Sequence, residues 1–373
     1  MRFITSDRGS ATLLLAAAAL ALVLAATPLG PALIGARDLP LALDATGLRL
    51  TPGLVVSDGL LAIFFLLVAI ELRHELTGGD LAHPASAAVP ALAALGGVAA
   101  PAGIYLAVAG PASAGGWPIP TATDIAFALG LLALVGRGLP SRVRAFLLAL
   151  AILDDLVAIL LIAVVFPHGM QPVLVVAALV PLAAFGVVAR LGGPSTARTA
   201  ALWVLGLAVW YLVARSGVHS TLAGVALGLA LPSGPGATAD RLLQPVSRAV
   251  VLPLFAFSAS LIRVEDVVLG PVFVAVVLAL PVGKLVGITA GGLLGHAVLG
   301  RRSPNPLRPA ELVAVGLVGG VGFTVSLLMA QLAFAEAGTR SSATLGVLVG
   351  SLAAIVLSVA VVPPIARRSR SHP

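Results

Sequence analysis

Apolar residues in this chain run in long unbroken stretches, separated by short clusters of Pro, Gly and Arg. Twelve such stretches are legible, at approximately residues 11–33, 54–76, 87–109, 120–136, 143–166, 172–190, 199–214, 217–232, 245–262, 270–296, 309–335 and 340–364. Most approach the roughly 20 residues that a helix needs to cross a bilayer. A membrane β-barrel would alternate polar and apolar positions over about ten residues instead. The pattern therefore predicts an all-α polytopic membrane protein of about twelve transmembrane helices. The whole chain, 1–373, reads as one transmembrane transporter domain, with a helical bundle over 10–364 and a polar tail at 365–373.

Two segments need a separate reading. Arg2 and Arg8 precede the first apolar run, and Ala25-Ala26-Thr27 has the small residues of a signal cleavage region. An uncleaved first span is the better reading, because the rest of the chain is multispan. Between the first two stretches, Leu41, Leu43, Leu48 and Leu50 alternate around Asp44-Ala45-Thr46-Gly47. Turn residues between alternating apolar positions predict a short β-hairpin over 39–52 on the outer face. Its edge is either a plain surface or a pairing surface for a second copy of the chain.

Composition agrees with membrane embedding. Hydrophobic residues make up 59% and charged residues 10% of the 373, against about 25% charged in a soluble domain. The absence of cysteine excludes disulfides and thiolate chemistry. The net charge of +7 is dispersed through loops and does not form a nucleic-acid patch. With the N-terminus inside, 16 of the 22 basic residues fall in inner loops and 5 in outer ones. That asymmetry predicts cytoplasmic termini and an even number of spans.

Ionisable residues within spans are costly and mark function by default. Asp154 and Asp155 lie mid-stretch in Ala151-Ile152-Leu153-Asp154-Asp155-Leu156. Adjacent helical residues point about 100° apart, so the two carboxylates cannot share one task. The lone lysine, Lys284, sits centrally in Pro281-Val282-Gly283-Lys284, and either aspartate could be its partner. Such a pair titrates as a unit; the plain alternative is a structural salt bridge.

Two stretches contain interruptions. Pro118, Pro120, Thr121, Thr123 and Asp124 break one, and Gly316, Gly319, Gly320 and Gly322, followed by Thr324, break another. Unwound backbone at membrane depth survives only inside protein or beside a wet cavity. The two breaks predict two discontinuous helices. Asp124 either binds a cation or balances a positive helix end, and balancing is the favoured role. Asp58 reads as structural, near a span end. Glu71, Arg73, His74, Glu75 and Asp80 cluster at an inner helix end, either as a solvated face or as a pH-responsive funnel mouth. His219 follows another helix break and is either a packing residue or a titrating one. No Walker loop, HExxH or GxSxG is present, so no enzyme or ATPase is expected and transport must use an ion gradient.

These motifs together resemble the NhaA-type sodium/proton antiporter family. The resemblance is carried by Thr123-Asp124-Ile125-Ala126-Phe127-Ala128-Leu129-Gly130, by the segment around Asp154-Asp155, by Gly217-Val218-His219-Ser220-Thr221-Leu222-Ala223-Gly224, by Pro253-Leu254-Phe255-Ala256-Phe257 and by Gly322-Phe323-Thr324. It covers about residues 11–364. It implies inverted-topology repeats of spans three to five and ten to twelve, with the two broken helices crossing near mid-membrane. It also implies Asp155 as the main carboxylate for transported Na+, with Asp154 beside it and paired to the proton carrier Lys284. Asp124 and Thr123 would support the site, and Gly319, Gly320, Gly322 and Thr324 would form the crossing. Glu71, His74, Glu75, His219 and Asp240 are its pH-sensing candidates, and the outer hairpin would join a homodimer. His74 replaces a usual Arg and Gln244 a His, both bearing on the pH set point. Ser258, Ala259 and Val157 are local departures that remove no ion-binding residue.

The implied function is export of Na+ (or Li+) against H+ across a bacterial inner membrane, pH-regulated and electrogenic with two protons per cation, with no cofactor. The other reading is a sodium-coupled solute symporter of similar fold, for which few extra polar residues are present to line a substrate cavity. A passive channel or a sensor is a third class, and it has no need of a titrating pair.

Overall fold

A computed structural model describes residues 7–41, 50–167, 169–191, 195–299 and 306–370. Among the described residues the regular structure is helical and no strand occurs. Residues 42–49 of the expected hairpin, including its turn, lie outside them. The Leu41 amide donates to the Leu50 carbonyl at 2.8 Å, so the two ends of that segment meet.

The helices are α1 (Asp7–Ala25), α2 (Gly30–Arg37), α3 (Pro52–Gly78), α4 (Pro84–Ala109), α5 (Ile125–Val135), α6 (Ser141–Val165), α7 (Pro172–Arg190), α8 (Thr196–Arg215), α9 (Thr221–Ala230), α10 (Ser233–Ser260), α11 (Pro271–Leu299), α12 (Pro309–Gly319), α13 (Phe323–Ala333) and α14 (Ala337–Arg370). Eight of them are long and apolar enough to span a membrane, or up to ten spans if the bent pairs α1/α2 and α12/α13 each count once. The chain is thus a multi-span helical membrane protein. Each of the twelve apolar stretches falls on a helix or a bent pair, but α5 and α9 are short.

The first stretch is not one straight span over 11–33. α1 stops at Ala25 and α2 leaves at 116°. Pro28 and Pro31 lack the amides that would continue the ladder, and the Thr27 hydroxyl donates to the Leu24 carbonyl and accepts the Leu29 amide. Three long helices also contain a π turn that no apolar pattern announced: Val55–Leu60 in α3, Ser247–Val251 in α10 and Ala279–Gly283 in α11.

Small residues set the packing, as expected where lipid removes the hydrophobic drive between helices. α4 lies against α11 so closely that a Cβ at Gly96 would sit 2.2 Å from the Gly287 carbonyl oxygen. α3 meets α9 in the same way, and a Cβ at Gly224 would fall 2.0 Å from the Ala62 oxygen. The deepest layer gathers around α12 and α13, where Val315, Val318, Leu327, Met329 and Ala330 are fully buried. α8 is the most peripheral of the eight long helices, with Trp203, Val204 and Leu207 facing outward.

Candidate functional site

The two interruptions meet. Before α5 the chain makes a 3-10 turn at Ile119–Thr121 and then runs extended through Ala122 and Asp124. The break between α12 and α13 bends that pair by 52°. The Asp124 amide donates to the Val321 carbonyl at 2.8 Å, and the Thr123 hydroxyl to the Gly319 carbonyl at 2.9 Å. Backbone groups freed by one break are therefore satisfied by the other, which is the accounting an apolar medium demands.

Asp124 joins two helix starts. Its Oδ1 accepts the Phe127 amide at 3.0 Å, capping α5. Its Oδ2 accepts the Thr324 amide at 3.2 Å and the Thr324 hydroxyl at 2.8 Å, at the first turn of α13. A carboxylate at a helix N-terminus offsets the positive end of the dipole, and here one buried carboxylate does so for two helices.

α6 carries the paired aspartates through the bundle centre, both buried. Lys284 Nζ donates to Asp154 Oδ2 at 2.7 Å, which resolves the choice of lysine partner in favour of Asp154. Lys284 is fully buried and directly follows the π turn of α11. Gly97 on α4 faces the lysine stem, at a distance where a Cβ would just touch Cδ. Asp155 points elsewhere. Its Oδ2 is buried with no hydrogen-bond partner among the described residues, as is Oδ1 of Asp154. Asp155 lines a cavity of about 90 Å³ together with Thr123, Asp124, Thr324, Glu71, Gln244 and Arg248. That volume is ample for water, which needs roughly 10–15 Å³. Carboxylate and hydroxyl oxygens are the donors that hard cations prefer. Among the described residues no three His, Cys, Asp or Glu side chains gather to hold a metal by themselves.

The remaining site residues divide into two places. His74, Glu75, Asp240 and Arg248 lie within electrostatic reach of Glu71, which lines this cavity. His219 does not join them. It faces Asp58, with Nε2 3.7 Å from Oδ1, while its Nδ1 lies 2.8 Å from the Thr221 hydroxyl. That pair lines a second, larger cavity of about 590 Å³, with Arg37, Arg263 and Arg340. Asp58 itself belongs to the π turn of α3, and its carbonyl accepts Trp210 Nε1 at 2.8 Å and the Ser220 hydroxyl at 3.2 Å.

Sequence reading overlooked one buried ion pair. Glu311, in the first turn of α12, accepts Arg142 Nη2 at 2.9 Å and the Arg308 amide at 2.9 Å. It ties the start of α6 to the start of α12. Glu311 lies inside the stretch 309–335, so a complete census of charges within spans would have found it. Arg248, one of the 16 basic residues assigned to inner loops, lies inside the stretch 245–262.

The family described as Na+/H+ antiporter 1 matches residues 1–362. The chain is 51% identical to the Na+/H+ antiporter NhaA 2 of Clavibacter michiganensis, over 98% of this chain and 92% of that one. It is 40% identical to the Na+/H+ antiporter NhaA of Tropheryma whipplei, covering 96% and 94%. To the Na+/H+ antiporter NhaA of Nocardia farcinica it is 39% identical, covering 100% and 91%. With a family match across nearly the whole chain and three relatives aligned almost end to end, this chain belongs to the Na+/H+ antiporter family, whose members are transporters and not catalysts of chemical reactions.

Proposed function

We propose that this chain exports Na+ (or Li+) in exchange for external H+, with Asp155 as the cation carboxylate and the Asp154–Lys284 pair as proton carrier. The carrying observation is the division of labour between adjacent aspartates. Each keeps one buried oxygen without a hydrogen-bond partner, but Asp154 is engaged by Lys284 through its other oxygen, whereas Asp155 lines a cavity that reaches Glu71. Protons and the cation compete for Asp155, so acid empties the site. When Na+ binds, Asp155 gives up its proton; separation of Asp154 from Lys284 in the transport cycle releases a second. Two protons per cation make the exchange electrogenic.

The names of the relatives support antiport over the symporter reading. The rest of the reading follows the same line. The chain lies in a bacterial plasma membrane with both termini cytoplasmic, consistent with the loop charges. Twelve spans result when α5 and α9 are counted as short spans. α4–α6 and α11–α14 form the inverted repeats, supported by the contact of the two breaks and by the close approach of α4 and α11. Glu71, His74, Glu75 and Asp240 respond to internal pH, His219 responds on the other face, and the segment 39–52 joins a homodimer.

The test is sodium-driven proton movement in everted vesicles, wild type beside Asp155→Asn, across about pH 6.5–9. Added Na+ should collapse an inside-acid gradient in wild type only. Equal collapse in both would move the cation away from Asp155.

A further inference from the structure

The cavity that reaches Asp155 has a positive charge in its wall. Gln244, Ser247, Arg248 and Leu252 form the α10 side of that cavity, and Arg248 belongs to the π turn Ser247–Val251. Glu71 on α3 lines the same cavity, within electrostatic reach of the guanidinium. A guanidinium stays charged at every working pH. Its field therefore opposes any cation in the cavity, whatever the state of the carboxylates. The opposition scales with the charge of the ion, so a divalent cation is penalised twice as much in energy as Na+.

We propose that Arg248 is a specificity-determining residue of the transport site: its fixed charge holds Na+ affinity below what Asp155 and Glu71 alone would give, and excludes divalent cations. The proposal rests on the reading that Asp155 is loaded through this cavity. Its sign separates it from a structural role. Damage to packing weakens cation binding, whereas removal of an opposing charge strengthens it.

The chain contains no cysteine, so Arg248→Cys offers one labelling site on one folded protein. The variant is reconstituted in liposomes and labelled in parallel with a cationic and with an anionic methanethiosulfonate, beside Arg248→Gln and Arg248→Lys. The apparent KM for Na+ should fall about three- to tenfold in Arg248→Gln and in the anionic adduct, the size expected for one charge acting across a wet cavity. It should return toward the wild-type value in Arg248→Lys and in the cationic adduct. Millimolar Mg2+ should inhibit exchange more strongly in Arg248→Gln than in wild type. A KM that is unchanged or raised in Arg248→Gln, or equal for the two adducts, overturns the proposal. Asp155→Asn in the same liposomes tests the underlying reading by itself. If that variant exchanges like wild type, the loading site is wrong whatever Arg248 does.

Discussion

Thr324 donates both its amide and its hydroxyl to Oδ2 of Asp124, from 200 residues further along the chain. That contact holds two broken helices together at their crossing, and Asp124 completes it by capping α5 through its other oxygen. Both oxygens of Asp124 are thus engaged, whereas Asp155, which lines the same cavity, keeps a buried oxygen without a hydrogen-bond partner.

Asp124→Ala removes the acceptor for the Phe127 amide and for both Thr324 donors. Each buried donor left without a partner costs about 1–3 kcal/mol. Asp124→Ala should therefore melt at clearly lower temperature in detergent, and Asp124→Asn, which keeps one acceptor oxygen, should fall between it and wild type. Melting of Asp124→Ala at the wild-type temperature would show that the crossing is held by other contacts.

Lys284→Met leaves Asp154 buried and unpaired. Breaking a buried pair from one side costs about 3–5 kcal/mol, whereas replacing both partners with uncharged groups is often neutral. The double variant Asp154→Asn with Lys284→Met should recover most of the stability lost by the lysine variant alone. Thermal melting of the four proteins as a double-mutant cycle reads this directly, and additive losses would argue against a paired interaction.

Arg142 and Glu311 are unequal partners. The Glu311 side chain is 1% exposed and that of Arg142 34%. Removing Arg142 strands a buried carboxylate, while Glu311→Gln leaves an arginine that can turn to water and keeps an acceptor for the Arg308 amide. Arg142→Ala should destabilise by roughly 2–3 kcal/mol, less than a fully dry pair because water reaches the arginine. Glu311→Gln should cost about half as much or less. The reverse order in a denaturation series would mean that Arg142 is the residue with the stricter environment.

Much of this arrangement is legible in the sequence. Long apolar runs give the spans, and Pro118, Pro120 and the Gly316–Gly322 cluster give the two breaks, because proline and clustered glycine disfavour continuous helix on local grounds. Which aspartate meets Lys284 is not legible from the residues alone, since adjacent residues differ only in direction and that depends on packing of distant helices; the assignment to Asp154 comes only from the family resemblance. The bend after Ala25 was missed although Pro28 and Pro31 signal it; apolarity outweighed backbone chemistry in that reading. The π turns at Val55–Leu60 and Ser247–Val251 follow from no local pattern. The separation of His219 from the Glu71 cluster is a tertiary fact: it faces Asp58 instead.

Asp38 supplies a contrast for pH dependence. Its hydrogen bond with the Arg37 guanidinium holds its carboxyl below the ordinary value of 3.8, against a smaller opposing effect of burial. A depressed value stabilises the folded state at pH above that ordinary value, and the gain is lost only as pH falls through the lower one. Between about pH 6.5 and 9, where a histidine titrates and Asp38 does not, its contribution is constant. Asp38→Asn should change exchange by the same factor at each pH in that range. A displaced pH profile would assign it a sensing role instead.

Competition between Na+ and protons at Asp155 is the step on which the proposed exchange depends. It is tested most directly by titrating Na+ into the purified protein at alkaline pH in buffers of different ionisation enthalpy, which counts the protons released on binding. Wild type should show net proton release, and Asp155→Asn should lose both the binding heat and the release. Sodium binding without proton release, or binding undiminished in Asp155→Asn, would contradict it.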